Sequence, residues 1–496
     1  MTAGLDGDLQ LGADAVRGGD DQRVLETGGL QIEQGAESAQ RSLGAGTASR
    51  LGERFDRIDQ HFSGIDIHAC IGVGKAVFQG FRGVAHRSRL EIGGENLSKR
   101  SCHDGVARGY SIGMTPITTN DALIKFCERL AKAPFITVDT EFMRETTYWP
   151  KLCLIQAASP TDAAIIDPLA EDLDLEPFLA LLRDESIIKV FHAARQDVEI
   201  FNRLGAMPKP MFDTQVAAMA AGFGDQVSYE QLVRQMLRQE LDKGSRFTDW
   251  ARRPLSDAQL TYAIGDVTHL AALYPKLRDR LQKEGRLDWV MSEMGALTDP
   301  ALYDTTPENA WKRLKPKKFS AKYLAAFVAV AVWRERAAQE RDQPRGRILK
   351  DEGIDEIAVQ APTDPEAFNR LRSVPKGFGG SRLGLELAAE LKRVLADPEA
   401  HAPKLERPAH SQPAPPSVVE LLKVLLKAKS DNAGVATKLI ANVADLEKIA
   451  NDDNADVEAM KGWRRQLFGD DALKLKKGEI ALVLNGSRVE VVEIEG

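Results

Sequence analysis

Short apolar runs in the first part of the chain predict a β-sheet. Each run is bounded by turn-forming or charged residues, as is typical of buried strands. The runs lie at residues 135–139, 152–157, 163–167 and 187–191. The first three are close in sequence and predict an antiparallel meander, whereas the fourth follows a helical stretch at 175–182. We therefore expect a mixed sheet with flanking helices.

Helical periodicity dominates the remainder of the chain. Apolar residues recur every three to four positions in several long stretches. These stretches lie at residues 229–237, 257–283, 321–341, 383–395 and 418–466. Near the end, two alternating runs flank Asn485 and Gly486, a pair that favours a two-residue hairpin turn. The pattern predicts one α/β domain followed by two helical modules, the second of which ends in a hairpin.

These patterns suggest where the domains begin and end. A chain of 496 residues is too long for one typical domain. Prolines and alanines concentrate before residue 416, which is the composition of a semi-rigid linker. The expected segments are an extension at 1–113, the α/β domain at 114–298, a helical module at 299–396, the linker at 397–416 and a second helical module with the hairpin at 417–496.

Residues 1–113 differ in amino-acid composition from the rest of the chain. They contain 21 of the 40 glycines and no proline. Glycine loses more conformational entropy on folding than other residues, so we expect this segment to be poorly ordered. Our hypothesis is that Met114 is the natural start and that a misassigned start codon added the upstream segment. The alternative is a genuine extension.

Composition excludes some classes of protein. The net charge of −7 does not indicate a nucleic-acid binder, although a local basic face matters more than the sum. No apolar run reaches the roughly 18–20 residues of a membrane span, and no secretory signal is visible, so we expect no membrane partner. The four cysteines form no Cys-x-x-Cys pair, which predicts free thiols in a reducing cytoplasm.

The first candidate for chemistry is Asp139-Thr140-Glu141, at the end of the first predicted strand. Side chains two positions apart on a strand point to the same face, so these two carboxylates project together. Two like charges side by side are unfavourable unless a cation or a proton compensates them. A solvated strand end is the simpler interpretation of this motif alone.

The second candidate is Asp197, close after the fourth predicted strand and near the first turn of a predicted helix. An acid at this position is also favourable by itself, because it interacts with the helix dipole. His192 stands where the strand ends. We interpret His192 as a hydrogen-bonded histidine and not as a metal ligand.

The third candidate is the pair Tyr262 and Asp266 inside the predicted helix 257–283. Residues four apart share one face of a helix. Leu255 and Leu270 make the surroundings of that face apolar, so an ionised Asp266 there needs a partner. Taken alone, the motif also fits a core tyrosine and a surface aspartate.

Together the three motifs would bring a charge of about −4 into one place. Hard divalent cations with oxygen ligands stabilise such an arrangement, and Mg²⁺ or Mn²⁺ suits it. Two such ions would activate a water and neutralise the attacking and leaving oxygens of a phosphodiester. The Tyr262 phenol could orient that water or help to remove its proton. The sequence therefore predicts a site with two divalent metal ions.

The ordered motifs Asp139-x-Glu141, His192 with Asp197, and Tyr262 with Asp266 resemble those of the DEDDy subgroup of the DEDD exonucleases. Residues 243–255 resemble ribonuclease D in particular, as does the order of domains. The resemblance implies a ribonuclease H-like fold for the α/β domain. It also implies that Asp139 bridges two metals, that Glu141 and Asp266 hold the ion on the nucleophile side, and that Asp197 helps with the second ion. Tyr262 would be the tyrosine of the third motif.

The module at 299–396 resembles an HRDC domain, and 417–496 resembles a second, divergent one. A basic stretch precedes the main helix of the first module. It comprises Lys312, Arg313, Lys315, Lys317 and Lys318. These side chains could contact phosphates. The other interpretation is an ordinary solvated surface.

The resemblance implies a 3′→5′ exoribonuclease that releases nucleoside 5′-monophosphates. The implied partners are RNAs with a free 3′ end, such as tRNA precursors. Phe142 and Trp250 could stack on bases, although each also fits a core position. Two alternatives stay open: a 3′→5′ DNA exonuclease, since the motifs do not separate the two polymers, and a non-catalytic nucleic-acid-binding protein.

Overall fold

The computed structural model describes residues 111–241, 244, 248–405 and 414–494. These residues all belong to one compact unit, Lys99–Gly496. The predicted poorly ordered extension lies outside them, except for its last three residues. The middle of the predicted linker and part of the 243–255 motif also lie outside the described ranges.

A six-stranded mixed sheet forms the centre of the first domain. Its strands are β1 (Ser111–Ile117), β2 (Phe135–Met143), β3 (Lys151–Ala158), β4 (Asp162–Ile166), β5 (Ile188–Phe191) and β6 (Met211–Asp213). They lie in the order β1-β4-β3-β2-β5-β6. The strands β2, β3 and β4 pair antiparallel, which confirms the predicted meander. The other three pairings, β1 with β4, β2 with β5 and β5 with β6, are parallel.

Helices flank this sheet, as predicted. They are α1 (Asn120–Leu130), α2 (Glu176–Arg183), α3 (Arg195–Arg203), α4 (Thr214–Ala220), α5 (Tyr229–Leu237), α6 (Asp257–Lys283) and α7 (Leu287–Leu297). The N-cap residue of α1, Thr119, makes no side-chain capping bond. The long helix α6 begins with a capping box, in which Ser256 and Gln259 each satisfy the other's backbone amide.

The helix α6 covers the sheet where β2 and β3 run side by side. Its buried residues Ala263, Ile264 and Val267 form an apolar cluster with side chains of β3 and β4. In addition, Thr137 of β2 donates a 2.8 Å hydrogen bond to the carbonyl of Val267. These contacts fix the position of α6 along the strand that carries Asp139.

The next helical region has its own apolar core. Its helices are α8 (Ala321–Glu340), α9 (Arg345–Ile348), α10 (Asp351–Gln360), α11 (Arg382–Ala396) and α12 (Pro398–His401), preceded by 3-10 turns at Pro300–Tyr303 and Pro307–Arg313. The central helix α8 is buried on most of its surface because α10, α11 and the second of these turns pack around it. The predicted all-helical character of this region is confirmed.

The C-terminal region is helical and ends in the predicted hairpin. Its elements are α13 (Pro416–Ala433), α14 (Thr437–Ile440), α15 (Val443–Asn451), α16 (Gly462–Arg464), α17 (Asp470–Lys477), β7 (Ile480–Asn485) and β8 (Arg488–Glu493). The two strands pair antiparallel around Asn485 and Arg488.

These C-terminal helices share one hydrophobic core with the sheet domain. Trp463 stacks on Trp289 of α7, with ring centres 4.4 Å apart and planes 7° from parallel. Arg464 pairs with Glu293 at 2.6 Å, and the amide of Ala436 donates a 2.9 Å bond to a carbonyl of α4. The region that follows the predicted linker therefore packs directly on the sheet domain.

Within the described ranges, no helix is both long and apolar enough to cross a membrane. Cys127 and Cys153 are buried free thiols, as predicted. The other two cysteines, Cys70 and Cys102, lie outside the described residues.

Candidate active site

Three of the four predicted carboxylates converge. Asp139, Glu141 and Asp266 each offer one oxygen, and these oxygens all lie within 4.8 Å of one another. Asp139 and Glu141 project from the same face of β2, and Asp266 comes from α6, which crosses that face. Residues separated by more than a hundred positions thus meet through the packing of one helix on one strand.

A local irregularity of β2 follows Glu141. The register between β2 and β3 shifts between Glu141 and Phe142. Such a bulge bends a strand and changes the direction of the side chains beside it. The regular alternation of faces that places Asp139 and Glu141 on the same side of β2 is therefore interrupted after Glu141.

Asp197 lies beside the group of three but is not part of it. It stands in the first turn of α3, as predicted, and is only 7% exposed. The hydroxyl of Thr140, the residue between the first two carboxylates, donates a hydrogen bond to Asp197 Oδ1. Burial and the nearby charge of Asp139 raise the pKa of Asp197 well above its usual value.

The electrostatics of the site favour a cation. Burial raises the pKa of Asp139 from 3.8 to about 6, although an amide hydrogen bond from Thr140 opposes the shift. Carboxylates that are buried close to one another stabilise either a proton or a bound cation. The converging donors are all carboxylate oxygens, and this donor set fits a hard divalent ion such as Mg²⁺ or Mn²⁺.

Tyr262 stands one helical turn before Asp266 on α6. Its side chain is half-buried, and its ring lies 6.0 Å from the ring of Trp250 at an angle of 37°. Trp250 is 3% exposed and belongs to the apolar cluster under α6, so it occupies a core position. Phe142, the other candidate for base stacking, is half-buried.

Tyr229 of α5 is a residue of this site that the sequence analysis missed. Its hydroxyl donates a hydrogen bond to the main-chain carbonyl of Asp266. Burial, together with the charges of Asp266 and Asp139, raises the pKa of Tyr229 well above 10. Spacing gave no signal for Tyr229, because it lies on a different helix.

His192 lies directly after the end of β5. Its Nδ1 is 3.0 Å from the hydroxyl of Thr214, and its ring centre is 5.3 Å from that of Tyr229. Burial lowers the pKa of His192, so the neutral form is favoured. The contact with Thr214 agrees with the interpretation of His192 as a hydrogen-bonded histidine.

The predicted basic stretch divides into two groups. Arg313 pairs with Glu335 at 2.7 Å, and Lys317 pairs with Asp355 at 3.0 Å. The side chains of Lys312, Lys315 and Lys318 are exposed. Part of the stretch therefore stabilises its own module, and the remainder faces solvent.

Comparison with known families agrees with this geometry. Residues 114–282 match the family model of a 3′→5′ exonuclease, and these residues include all five predicted site residues. Residues 324–380 match the HRDC domain. The mixed sheet, the acidic group and these two matches define a 3′→5′ exonuclease that carries an HRDC domain.

Relatives that match over nearly their full length identify the family. The chain is 51% identical over 381 residues to Ribonuclease D of Nitrobacter hamburgensis, covering 77% of this chain and 100% of that protein. It is 49% identical over 380 residues to Ribonuclease D of Granulibacter bethesdensis, covering 76% and 96%. The crystal structure of Escherichia coli RNase D superposes with a TM-score of 0.64 at 29% identity, covering 75% of this chain and 99% of that one. The chain therefore belongs to the ribonuclease D family, and it is a 3′→5′ exoribonuclease.

Proposed function

We propose that the chain hydrolyses RNA one nucleotide at a time from the 3′ end by a two-metal-ion mechanism, releasing nucleoside 5′-monophosphates. The convergence of Asp139, Glu141 and Asp266 within 4.8 Å carries this proposal. Two divalent ions bound there would supply a nucleophilic water and neutralise charge on the attacking and leaving oxygens.

The four carboxylates share the binding of the two ions in this proposal. Asp139 would be a ligand of both ions. Glu141 and Asp266 would hold the ion on the nucleophile side. Asp197 would help to hold the second ion, and the Thr140 hydroxyl orients its carboxylate. A role for Asp197 is supported by its burial next to Asp139, because a buried acid beside another acid is unfavourable without compensation.

Tyr262 acts on the attacking water in this proposal. It is half-buried on the same face of α6 as Asp266, one turn earlier. From that position its phenol can orient the water or help to remove its proton. Packing against the buried Trp250 ring restricts where the phenol can point.

The proposed substrates are tRNA precursors and other small structured RNAs with extra 3′ nucleotides. The Escherichia coli structure at 29% identity is described as an exoribonuclease involved in structured RNA processing, which supports this substrate class. The exposed lysines ahead of α8 provide positive charge for phosphate contacts. A single-stranded 3′ end is the form of RNA that we expect to enter the acidic site.

A labelled-substrate assay tests the proposal. The substrates are a 3′-extended tRNA and a DNA oligomer of the same 3′ sequence, each labelled at the 5′ end. We expect a stepwise ladder on RNA with Mg²⁺ or Mn²⁺, no ladder with a chelator, and no ladder for Asp139→Asn. A matched control is Asp162→Asn, which alters an acid of β4 that pairs with Arg129 away from the site.

The assay also separates the alternatives. Blocking the 3′ hydroxyl should stop the reaction, and degradation that persists would contradict the polarity. Equal or faster degradation of DNA would favour the DNA exonuclease. Absence of any metal-dependent mononucleotide release would favour the non-catalytic binding protein.

A further inference from the structure

The loop between β2 and β3, residues 144–150, connects the catalytic domain with the HRDC domain. It continues directly from the strand that carries Asp139 and Glu141. Its first residue, Arg144, makes two hydrogen bonds of 3.1 and 3.3 Å with Glu199 of α3. The loop is thus attached both to β2 and to the helix that carries the fourth predicted carboxylate.

A second contact joins the loop to α3. The guanidinium of Arg203 lies 3.6 Å from the centre of the Trp149 ring, which is cation–π geometry. The Trp149 ring in turn meets the Tyr148 ring edge-on, with centres 4.6 Å apart. Movement of the loop would therefore be transmitted to the helix of Asp197.

On its other side the loop inserts Tyr148 into the HRDC domain. Tyr148 is 7% exposed, and its hydroxyl donates a hydrogen bond to Glu335 of α8. The same hydroxyl accepts hydrogen bonds from Gln339 at 3.0 Å and from Arg345 at 2.8 Å. The phenol therefore has three partners, and all three belong to the HRDC domain.

Glu335, the carboxylate that accepts the hydrogen bond of Tyr148, is stabilised in its ionised form. Glu335 is 1% exposed and forms ion pairs of 2.6 Å with Arg345 and 2.7 Å with Arg313. Burial would raise the pKa of Glu335, but the hydrogen bonds from Arg345, Tyr148 and Arg313 outweigh it and lower the pKa to about 2. Charge-assisted bonds of this kind are about twice as strong as neutral ones.

Asp342 makes the contact with the loop backbone. It stands just after α8, and its Oδ1 accepts the amide of Tyr148 at 3.1 Å and that of Trp149 at 2.9 Å. The backbone of Asp342 has φ 47°, a left-handed conformation that Asp, Asn and Gly tolerate best. One carboxylate oxygen of the HRDC domain thus satisfies two consecutive amides of the loop.

We propose that the HRDC domain is a positioning element of the exonuclease site, acting through Asp342 and Tyr148. These two residues fix the loop, and the loop fixes β2 and α3 relative to each other. The inference rests on the proposed function, because it takes the carboxylates of β2 and α3 as the metal-binding groups. It assigns the HRDC domain an effect on turnover itself, besides any contact with RNA.

The decisive variant is Asp342→Gly, which removes the acceptor but permits the left-handed backbone. Turnover is measured on a 3′-extended tRNA and on a five-nucleotide RNA, which is too short to extend far beyond the active site. We expect kcat to fall about tenfold on both substrates, with little change in KM, since small displacements of reacting groups are costly. Asp342→Asn, which keeps both the acceptor and the backbone preference, should restore kcat.

A second variant and a matched control accompany this experiment. Tyr148→Phe removes only the hydroxyl, and it should lower kcat on both RNAs in the same way. Tyr323→Phe is the control, because Tyr323 lies on the same helix α8 and donates a 2.8 Å bond to a carboxylate, Asp355, inside the HRDC domain. It should lower the melting temperature but leave kcat unchanged. Hydrogen exchange of the amides of residues 144–149 should accelerate only in the Asp342→Gly and Tyr148→Phe variants.

Several outcomes would overturn the proposal. A rise in KM on tRNA alone, with the five-nucleotide RNA unaffected, would show that the HRDC domain only tethers RNA. An unchanged kcat in Tyr148→Phe would also overturn it, and this variant decides the matter if Asp342→Gly does not fold. Turnover that survives Asp139→Asn would instead contradict the proposed metal ligands, whatever the loop variants do.

Discussion

The hydroxyl of Tyr229 bonds to the main-chain carbonyl of Asp266. A side chain from α5 thus contacts the turn of α6 that presents Asp266 to the other carboxylates. Tyr229 is therefore a positioning residue for Asp266.

Replacement of Tyr229 by Phe tests this role. The ring stays, but the carbonyl of Asp266 loses the hydrogen bond from α5, so Asp266 should shift. We expect kcat to fall about fivefold, with KM for RNA nearly unchanged and with a higher Mn²⁺ concentration needed for half-maximal activity. Direct titration with Mn²⁺ should show correspondingly weaker Mn²⁺ binding by the variant. Tyr303→Phe, which removes a 2.6 Å bond to the carbonyl of Leu297, is the matched control. Equal metal affinity in Tyr229→Phe and the parent chain would contradict the assignment.

Tyr262→Phe separates chemistry from binding. The variant keeps the ring packing on Trp250 and removes only the phenol oxygen. We expect turnover to fall about 100-fold, the usual scale of a proton-transfer or water-orienting group, with a modest change in RNA affinity. Single-turnover kinetics with saturating enzyme measures the chemical step alone. Substantial retention of that rate would remove Tyr262 from the mechanism.

Helix and strand positions could largely be predicted from the sequence, because apolar periodicity is a local property. The predicted stretches 229–237 and 257–283 coincide with α5 and α6. The strands β1 and β6 were missed. Gly113 and Pro116 interrupt the pattern of β1, and β6 has only three residues, Met211–Asp213. Both are edge strands that depend on pairing with distant segments.

The candidate site was predictable only in part, for a related reason. Residues two apart on a strand, or four apart on a helix, share a face irrespective of the tertiary structure. Pairs such as Asp139 and Glu141 could therefore be found from the sequence. Thr140 and Tyr229 have no such signal. Their contacts depend on how α3 and α5 pack on β2 and α6, which is a tertiary property. The roles assigned to the acids stay predictions until variants are measured.

The ionisation of Glu335 predicts a pH dependence of stability. Its pKa is about 2 in the folded chain against a usual value of 4.5. Because the folded pKa is the lower one, the stabilisation is complete above about pH 4.5 and is lost as pH falls towards 2. Glu335→Gln should therefore lower the free energy of unfolding by a few kcal/mol at pH 7. It should also flatten the pH dependence of this free energy between these limits. Chemical denaturation at several pH values measures this. Identical pH profiles for Glu335→Gln and the parent chain would contradict it.

The stacking of Trp463 on Trp289 predicts how firmly the C-terminal helices are attached. Trp463→Ala removes the stack and leaves a gap at the shared core. We therefore expect the free energy of unfolding to fall by about 2 kcal/mol. Limited proteolysis should then cleave first between 414 and 494. Arg465→Ala removes an exposed ion pair with Asp470 nearby and should have no such effect. Equal protection in both variants would show that the stack contributes little.

The shared core also has a consequence for biosynthesis. The apolar cluster around the sheet includes residues as late as Phe468 and Ala472. The HRDC domain, with a core of its own, lies between the two parts of that cluster along the chain. During translation the HRDC domain has all of its residues before the sheet domain does. The nuclease domain therefore completes its interior only after the whole HRDC domain has been synthesised.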